Sequence, residues 1–154
     1  MKKVNTKNFK KTLSKFSTGI TVVCVKNNNS IYGKTVNSFN SLSLNPPMVL
    51  FSLGNYSSSI KQFSKTNFLS INILSSKQKK LSDNFASTTP KLENIKFIEG
   101  KYKTAIIPNC IANLECKLID KIKKGDHIIF ICKILELQSN DKLKPLVYFN
   151  SKYF

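Results

Sequence analysis

The sequence has no arginine, a single histidine and only eight acidic residues. Its 25 basic residues are therefore all lysines, and the formal net charge is +17. Base reading and bidentate phosphate contacts favour arginine, so its absence argues against nucleic acid as the main partner. The lysines are also spread along the whole chain, which indicates a compositional bias. Their charge will nevertheless attract anionic small molecules, including phosphorylated cofactors.

Long apolar runs are missing as well. No run approaches the roughly 20 residues that a membrane span needs. The first seven residues, MKKVNTK, carry the charge of a signal peptide, but no apolar segment follows them. We therefore expect a cytoplasmic protein without a membrane partner.

The four cysteines do not form a C-x-x-C pair, so neither a zinc site nor a dithiol redox site is predicted. Cys24 and Cys132 lie in apolar, strand-like runs, which favours buried free thiols in a reducing compartment. A G-x-G-x-x-G fingerprint is also absent, which argues against a dedicated dinucleotide-binding domain.

The hydrophobic pattern predicts many strands and few helices in one domain over residues 1–154. Residues 6–16 predict an amphipathic helix capped by Thr6, with Phe9, Leu13 and Phe16 on one face. Further short helices are predicted at 57–64, with a serine cap, and at 76–85. Strands are predicted at 20–25, 31–36, 48–53, 68–74, 111–122, 127–137 and 146–149, with a weak one at 95–98 inside an irregular segment. The prolines at 46 and 47 exclude a central strand there.

Small hydroxyl and amide residues crowd residues 33–47, GKTVNSFNSLSLNPP, before the apolar strand at 48–53. Such a segment can present backbone N–H groups and short donors to a polar planar ligand that carries a phosphate. By composition alone it could equally be an ordinary serine- and asparagine-rich loop.

The order of motifs along the chain resembles the flavin reductase family of NAD(P)H:flavin oxidoreductases. The resemblance rests on LSKFSTGITVV at 13–23, TVNSF at 35–39, SLSLNPP at 41–47, VLFSL at 49–53 and SINIL at 70–74. It continues through LSDNFA at 81–86, LEC at 114–116, GDH at 125–127 and PLVY at 145–148. It implies a mostly β (α+β) fold, a single-domain FMN-binding split β-barrel of Greek-key type with a few short peripheral helices.

The resemblance also implies which residues bind the flavin. The ring and ribityl chain would lie along the segment Thr35, Val36, Asn37 and Ser38. The ring edge and phosphate would lie along a second group: Ser52, Leu53, Gly54, Ser57, Ser58 and Ser59.

Three further positions are implied by the resemblance. The residue that matches Ala86 lines the site in relatives, and Lys91 is a candidate for contacting phosphate or adenine. An aromatic residue matching Tyr153 approaches the nicotinamide site.

Two interpretations are possible for the three serines at 57–59. They open a predicted helix, where N–H groups favour a phosphate, but they could also only cap that helix. His127 likewise has two interpretations: by resemblance it lies on the nicotinamide side of the flavin as the catalytic residue, and by pattern alone it could pack on the barrel rim. Lys34 departs from the family, whose members commonly have an apolar residue there, so flavin affinity or access is expected to differ.

The predicted activity is NAD(P)H-dependent reduction of FMN or FAD by hydride transfer to flavin N5. Reduced flavin would then pass to a partner monooxygenase or another acceptor, and the family commonly forms homodimers. No protein general base is needed, which fits a chain with one histidine and few acids. Two alternatives remain at this point: a non-catalytic FMN-binding electron-transfer protein of the same fold, and a basic nucleic-acid-binding β-barrel.

Overall fold

Antiparallel strands are the main secondary structure of the protein, which a computed structural model describes for residue 1 and residues 3–154. Three α-helices and one short 3-10 helix (Ser76–Gln78) accompany them. The helices are α1 (Thr6–Leu13), α2 (Ile60–Lys65) and α3 (Lys79–Ala86). The strands are β1 (Thr18–Gly19), β2 (Thr21–Asn27), β3 (Ser30–Val36), β4 (Asn40–Leu44), β5 (Pro47–Gly54), β6 (Phe68–Ile73), β7 (Ile98–Glu99), β8 (Ala105–Ile106), β9 (Ala112–Lys124), β10 (His127–Ser139), β11 (Val147–Phe149) and β12 (Lys152–Tyr153).

The main sheet has seven strands in the order β3-β2-β6-β9-β10-β5-β4. Its two edge strands, β3 and β4, follow one another in the chain but do not pair with each other. The barrel is therefore split between them, and the predicted mostly-β split barrel with a few short helices is confirmed. Smaller sheets join β1, β11 and β12, and β7 with β8.

Strand β2 separates two hydrophobic cores. Val23 and Val25 point into one core, whereas Val22 and Cys24 point into the other. A strand buried on both faces needs apolar side chains at consecutive positions. This explains why residues 22–25 form a continuous apolar run instead of alternating with polar residues.

Aromatic packing fills the larger core, inside the barrel. The rings of Phe51 and Phe130 stack with centroids 5.1 Å apart, on neighbouring strands β5 and β10. Phe63 of α2 meets both rings edge-on, at 6.3 and 6.1 Å. Edge-on and offset stacking are the favoured geometries for aromatic pairs, and they attach α2 to the end of the barrel.

The second core lies beneath α3. Its centre is Phe85, which packs against β3 where Gly33 leaves room for the ring. A Cβ atom at position 33 would lie 2.4 Å from the Phe85 ring, closer than any real contact. The glycine is required here by the close approach of helix and strand.

Helix α1 differs from its prediction in cap, length and burial. Asn5, not Thr6, is the N-cap, since its side chain accepts a hydrogen bond from the Asn8 N–H at 2.9 Å. The helix ends at Leu13, so Phe16 lies beyond it. No residue of α1 is buried, and the predicted apolar face is exposed, with Phe9 at 57% and Leu13 at 53%.

The bounds and caps of other elements also differ from their predictions. Helix α2 begins at Ile60 rather than 57, and Ser59 at its N-cap makes no side-chain capping bond. The 3-10 helix is instead capped by Ser75, through a capping box with Gln78. The weak strand predicted at 95–98 is limited to Ile98–Glu99. Pro47 opens β5, a position that needs no ladder N–H.

All four cysteines are free and buried, as predicted. Burial raises the pKa of Cys110 to about 11 and that of Cys132 to about 12, and it raises the pKa of Cys24 and Cys116 as well. Thiols of this kind are inert packing groups at neutral pH. Among the described residues, no helix is both long enough and apolar enough to cross a membrane.

Replacing Gly33 with alanine is predicted to destabilise the protein. The added methyl group meets the buried Phe85 ring, and overpacking of this kind costs roughly 1–3 kcal/mol. Chemical denaturation of wild type and Gly33→Ala measures the effect. Gly19→Ala is the control, since a Cβ at position 19 has no atom within 4 Å and should change stability little. Equal midpoints for both variants would contradict the packing described here.

Candidate functional site

A cavity of about 380 Å³ opens at the split of the barrel, between the end of β3 and the end of β5. This size is within the range of small-molecule sites. Eleven of the fourteen residues predicted to act in the site line it. They are Thr35, Val36, Asn37, Ser38, Ser52, Leu53, Gly54, Ser57, Ser58, Ala86 and His127.

Three predicted residues are not in the lining. Ser59 is only 6% exposed and lines a neighbouring, more apolar cavity. Lys91 is held in the following loop, where its backbone N–H and C=O both bond to the Asn84 side chain. The Tyr153 hydroxyl lies behind the cavity wall, 2.9 Å from the Ser82 hydroxyl.

Three lining residues were not predicted as site residues: Lys34, Tyr56 and Thr88. The sequence distinguishes Lys34 only as a departure from the family pattern. Tyr56 is placed by Gly54, because the tyrosine ring occupies the space that a Cβ atom at position 54 would need. Thr88 reaches the cavity through a loop contact, and no periodic pattern in the sequence marks it.

A serine hydroxyl closes the ladder at the split. Strand pairing between β4 and β5 stops at Asn40 opposite Leu50, and the same register would set residue 38 opposite residue 52. There the Ser38 hydroxyl accepts from the Ser52 N–H at 3.0 Å and donates to the Ser52 carbonyl at 3.1 Å. The side chain thus replaces a backbone partner and fixes the two sides of the cavity relative to each other.

A second chain of hydrogen bonds supports the β3 side. The Thr35 hydroxyl donates to the Ser82 carbonyl at 2.7 Å, and the Ser82 hydroxyl bonds that of Tyr153. Ser82 is buried in α3, so the helix positions Thr35 from behind. Tyr153 is therefore placed to support the wall of the cavity.

His127 begins β10, opposite Gly54 of β5. Its Nδ1 atom lies 2.7 Å from Oδ1 of Asp126, which leaves Nε2 available for a ligand. The hydrogen bond and then the charge of His127 lower the pKa of the Asp126 carboxyl. The Tyr56 ring meets the imidazole edge-on at 6.5 Å, so residues on either side orient the histidine.

Another group of contacts involves Lys34, Ser58 and the loop after α3. The Lys34 ammonium donates to the Ser87 carbonyl at 2.6 Å. The Ser58 hydroxyl donates to the Thr88 carbonyl at 3.0 Å. These two bonds hold residues 87 and 88 against β3 and the turn before α2.

The lining contains hydroxyls, an amide, a lysine and a histidine, but no carboxylate. Within the part of the chain that the structure describes, no three His, Cys, Asp or Glu side chains meet as a set of metal ligands. The cavity can therefore donate hydrogen bonds to carbonyl and phosphate oxygens, and its field favours an anion.

Ser38→Ala is predicted to lower the free energy of unfolding by about 1 kcal/mol, because the half-buried Ser52 N–H and C=O lose their partner. Denaturant titration measures this loss. Ser41→Ala, an exposed serine of β4, is the matched control and should be neutral. A Ser38→Ala protein as stable as the control would show that the hydroxyl does not hold the split together.

Known proteins resemble this chain over nearly its whole length. The flavin reductase-like domain family matches residues 13–154. The FMN reductase (NADH) SmoA of Agrobacterium fabrum is 33% identical over 137 residues, which is 89% of this chain and 79% of that protein. The reductase component of 4-hydroxyphenylacetate 3-monooxygenase from Thermus thermophilus is 32% identical over 145 residues, which is 94% of this chain and 93% of that protein.

Solved structures agree with these sequence matches. Flavin reductase PheA2 in its native state superimposes with a TM-score of 0.92 at 32% identity, covering 98% of this chain and 97% of that one. The fold and the family predicted from the sequence are both confirmed. The chain belongs to the flavin reductase family of oxidoreductases.

Proposed function

We propose that the protein reduces FMN or FAD with NAD(P)H in the cavity at the barrel split. The observation that carries this proposal is that eleven of the residues implied by the family resemblance line that one cavity, with His127 on its flank. The name of the Agrobacterium relative, an NADH-dependent FMN reductase, supports FMN and NADH as the substrates.

The cavity fits a flavin by its chemistry. A flavin has a planar ring with carbonyl and ring-nitrogen acceptors, a hydroxylated chain and a phosphate. Asn37, Ser38 and Ser57 would face it with short polar side chains, and Val36 and Leu53 with apolar surface. The absence of a carboxylate from the lining favours binding of the anionic phosphate.

When bound, the flavin supplies the redox chemistry, as the acceptor of a hydride from the nicotinamide ring. The protein's residues bind and orient. The Ser38–Ser52 bond keeps both walls at a fixed separation, and Tyr56 and Asp126 hold the imidazole of His127 with Nε2 free to contact the dinucleotide. Orientation of this kind accounts for much of the rate in reactions between two bound partners.

Two purified-protein measurements test the proposal. Titration with FMN should perturb the flavin absorbance, and NADH should be oxidised at a rate that depends on protein and flavin. Flavin binding without NADH oxidation above background would favour the non-catalytic alternative. A lack of any flavin binding, with salt-dependent retardation of nucleic acid in a gel, would favour the basic-barrel alternative.

His127→Ala is predicted to lower the rate with NADH by about tenfold or more, because the nicotinamide loses a positioning contact. The Kd for FMN should change much less. Lys124→Ala is the control, since Lys124 is exposed and pairs with His127 across the strands without lining the cavity. Equal rates in wild type and His127→Ala would remove the histidine from the mechanism.

We also propose that two copies associate through an apolar patch, which we name the α1 patch: Phe9, Leu13, Phe16, Phe149 and Phe154. All five side chains are exposed. The α1 and β11–β12 segments are tied together, since the Asn150 N–H donates to the Ser14 carbonyl at 2.7 Å. An eight-residue helix is not stable in water by itself, so α1 needs a surface to pack against.

Replacing Phe9 and Leu13 together with serine is predicted to convert a dimer to a monomer in sedimentation equilibrium. Because each copy carries a charge of +17, added salt should strengthen the wild-type dimer by screening repulsion. Lys7→Ser, on a different side of α1, is the control and should remain dimeric. A wild-type protein that is monomeric at high salt would contradict the proposal.

We also propose a protein partner and a cellular location. The names of several relatives as monooxygenase reductase components support a partner monooxygenase that receives reduced flavin. Four free buried thiols are consistent with a cytoplasmic location. The whole chain, 1–154, would act as one flavin reductase-like domain.

A further inference from the structure

Lys34 is an unusual lysine in this protein. Of the described lysines, it alone lines the cavity at the split. Apart from His127, Lys34 is also the one side chain among the described lining residues that can carry a positive charge. Its position at the end of β3, beside Thr35, places a positive charge next to the predicted flavin-binding segment.

The ammonium of Lys34 is fixed without a counter-charge. It donates to the Ser87 carbonyl at 2.6 Å, which uses one of its three donors. None of the ion pairs found in the described part of the chain includes it. Partial burial lowers its pKa. A partly desolvated cation without an anionic partner is costly, and an anionic ligand would offset that cost.

Two hydroxyl side chains line the cavity near Lys34. Ser58 and Thr88 line the cavity, and the Ser58–Thr88 hydrogen bond holds the loop that carries Ser87. A charged donor among hydroxyls, with no carboxylate in the lining, is the donor set that phosphate oxygens prefer. Lys91, which the family resemblance also offers as a phosphate contact, lies outside the lining.

We propose that Lys34 is the residue that selects ligands bearing a phosphate in this cavity. The inference rests on the proposed function and deepens it. The shared chemistry is a phosphate ester, which can belong to the 5′ end of FMN or to the 2′ position of NADPH. Lys34 binds the phosphate through the donors that Ser87 leaves free, and it acts on binding without taking part in the redox step.

The test compares ligands that differ only in the phosphate. The Kd values of riboflavin and FMN are measured by absorbance titration of wild type, Lys34→Met and Lys34→Arg. We expect wild type to prefer FMN, and Lys34→Met to lose about tenfold of that preference while its riboflavin Kd is unchanged. Lys34→Arg keeps the charge and should retain most of the preference.

A second arm identifies which phosphate is bound. The KM values of NADPH and NADH are compared with riboflavin as the acceptor. A loss of discrimination between NADPH and NADH in Lys34→Met, with the FMN-to-riboflavin ratio unchanged, assigns the residue to the dinucleotide. A changed FMN-to-riboflavin ratio assigns it to the flavin. Either result supports the proposal.

Matched variants separate a local effect from the loss of one charge. Lys80→Met removes an exposed lysine of α3 outside the lining and should leave every ratio unchanged. If Lys34→Met fails to fold, Lys34→Gln keeps a donor toward Ser87 and should lose the preference to a similar extent. In wild type, inorganic phosphate should compete with whichever phosphate ligand the two arms assign to Lys34, FMN or NADPH, far more strongly than with riboflavin or NADH.

Several results would overturn the proposal. Unchanged ratios in Lys34→Met and Lys34→Gln, with normal flavin binding, reject the role of Lys34 and leave the proposed function intact. Loss of the phosphate preference in Lys91→Met instead of Lys34→Met has the same meaning. A wild-type protein that binds neither riboflavin nor FMN rejects the proposed function and this inference together.

Discussion

The unpaired edges of the main sheet are the constraint on which the site depends. Strands β3 and β4 end the sheet without joining each other, so the barrel cannot close there. Beside the split, the Ser38 hydroxyl continues the β4–β5 ladder by bonding both backbone groups of Ser52. A side chain at this point satisfies the backbone N–H and C=O of Ser52 and occupies less space than a strand would. The space that results is the cavity, and its polar walls are the residues that end β3 and β5.

The electrostatics of the cavity follow from composition as much as from geometry. With eight acidic residues in 154, few carboxylates are available to neutralise lysines, and none lines the cavity. Asp126 is the nearest acidic neighbour along the chain to His127, and it is engaged with that histidine. Lys34 therefore has no carboxylate partner among the described residues that would compete with an anionic ligand, whereas most lysines of the protein only contribute to a diffuse surface field.

Much of the fold could be predicted from the sequence, because burial on both faces gives β2 its apolar run and short polar clusters mark the turns. The site segments could be predicted from their order along the chain. The directions of individual side chains could not be predicted from the sequence. Tyr153 lies behind the cavity wall, where it bonds Ser82, and Ser59 is buried beside a neighbouring cavity, since local sequence does not encode which way a turn presents its residues. The exposure of Phe9 in α1 has a similar cause, because a periodic pattern defines a face without defining what covers it.

The position of strand β2 between the two cores affects how the protein unfolds. Its Val23 and Val25 belong to one core and its Val22 and Cys24 to the other, so the two cores share a wall one strand thick. Because loss of β2 would remove buried contacts from both cores, we expect the two cores to unfold together. A substitution beneath α3 should therefore also lower the stability of the aromatic core that anchors α2.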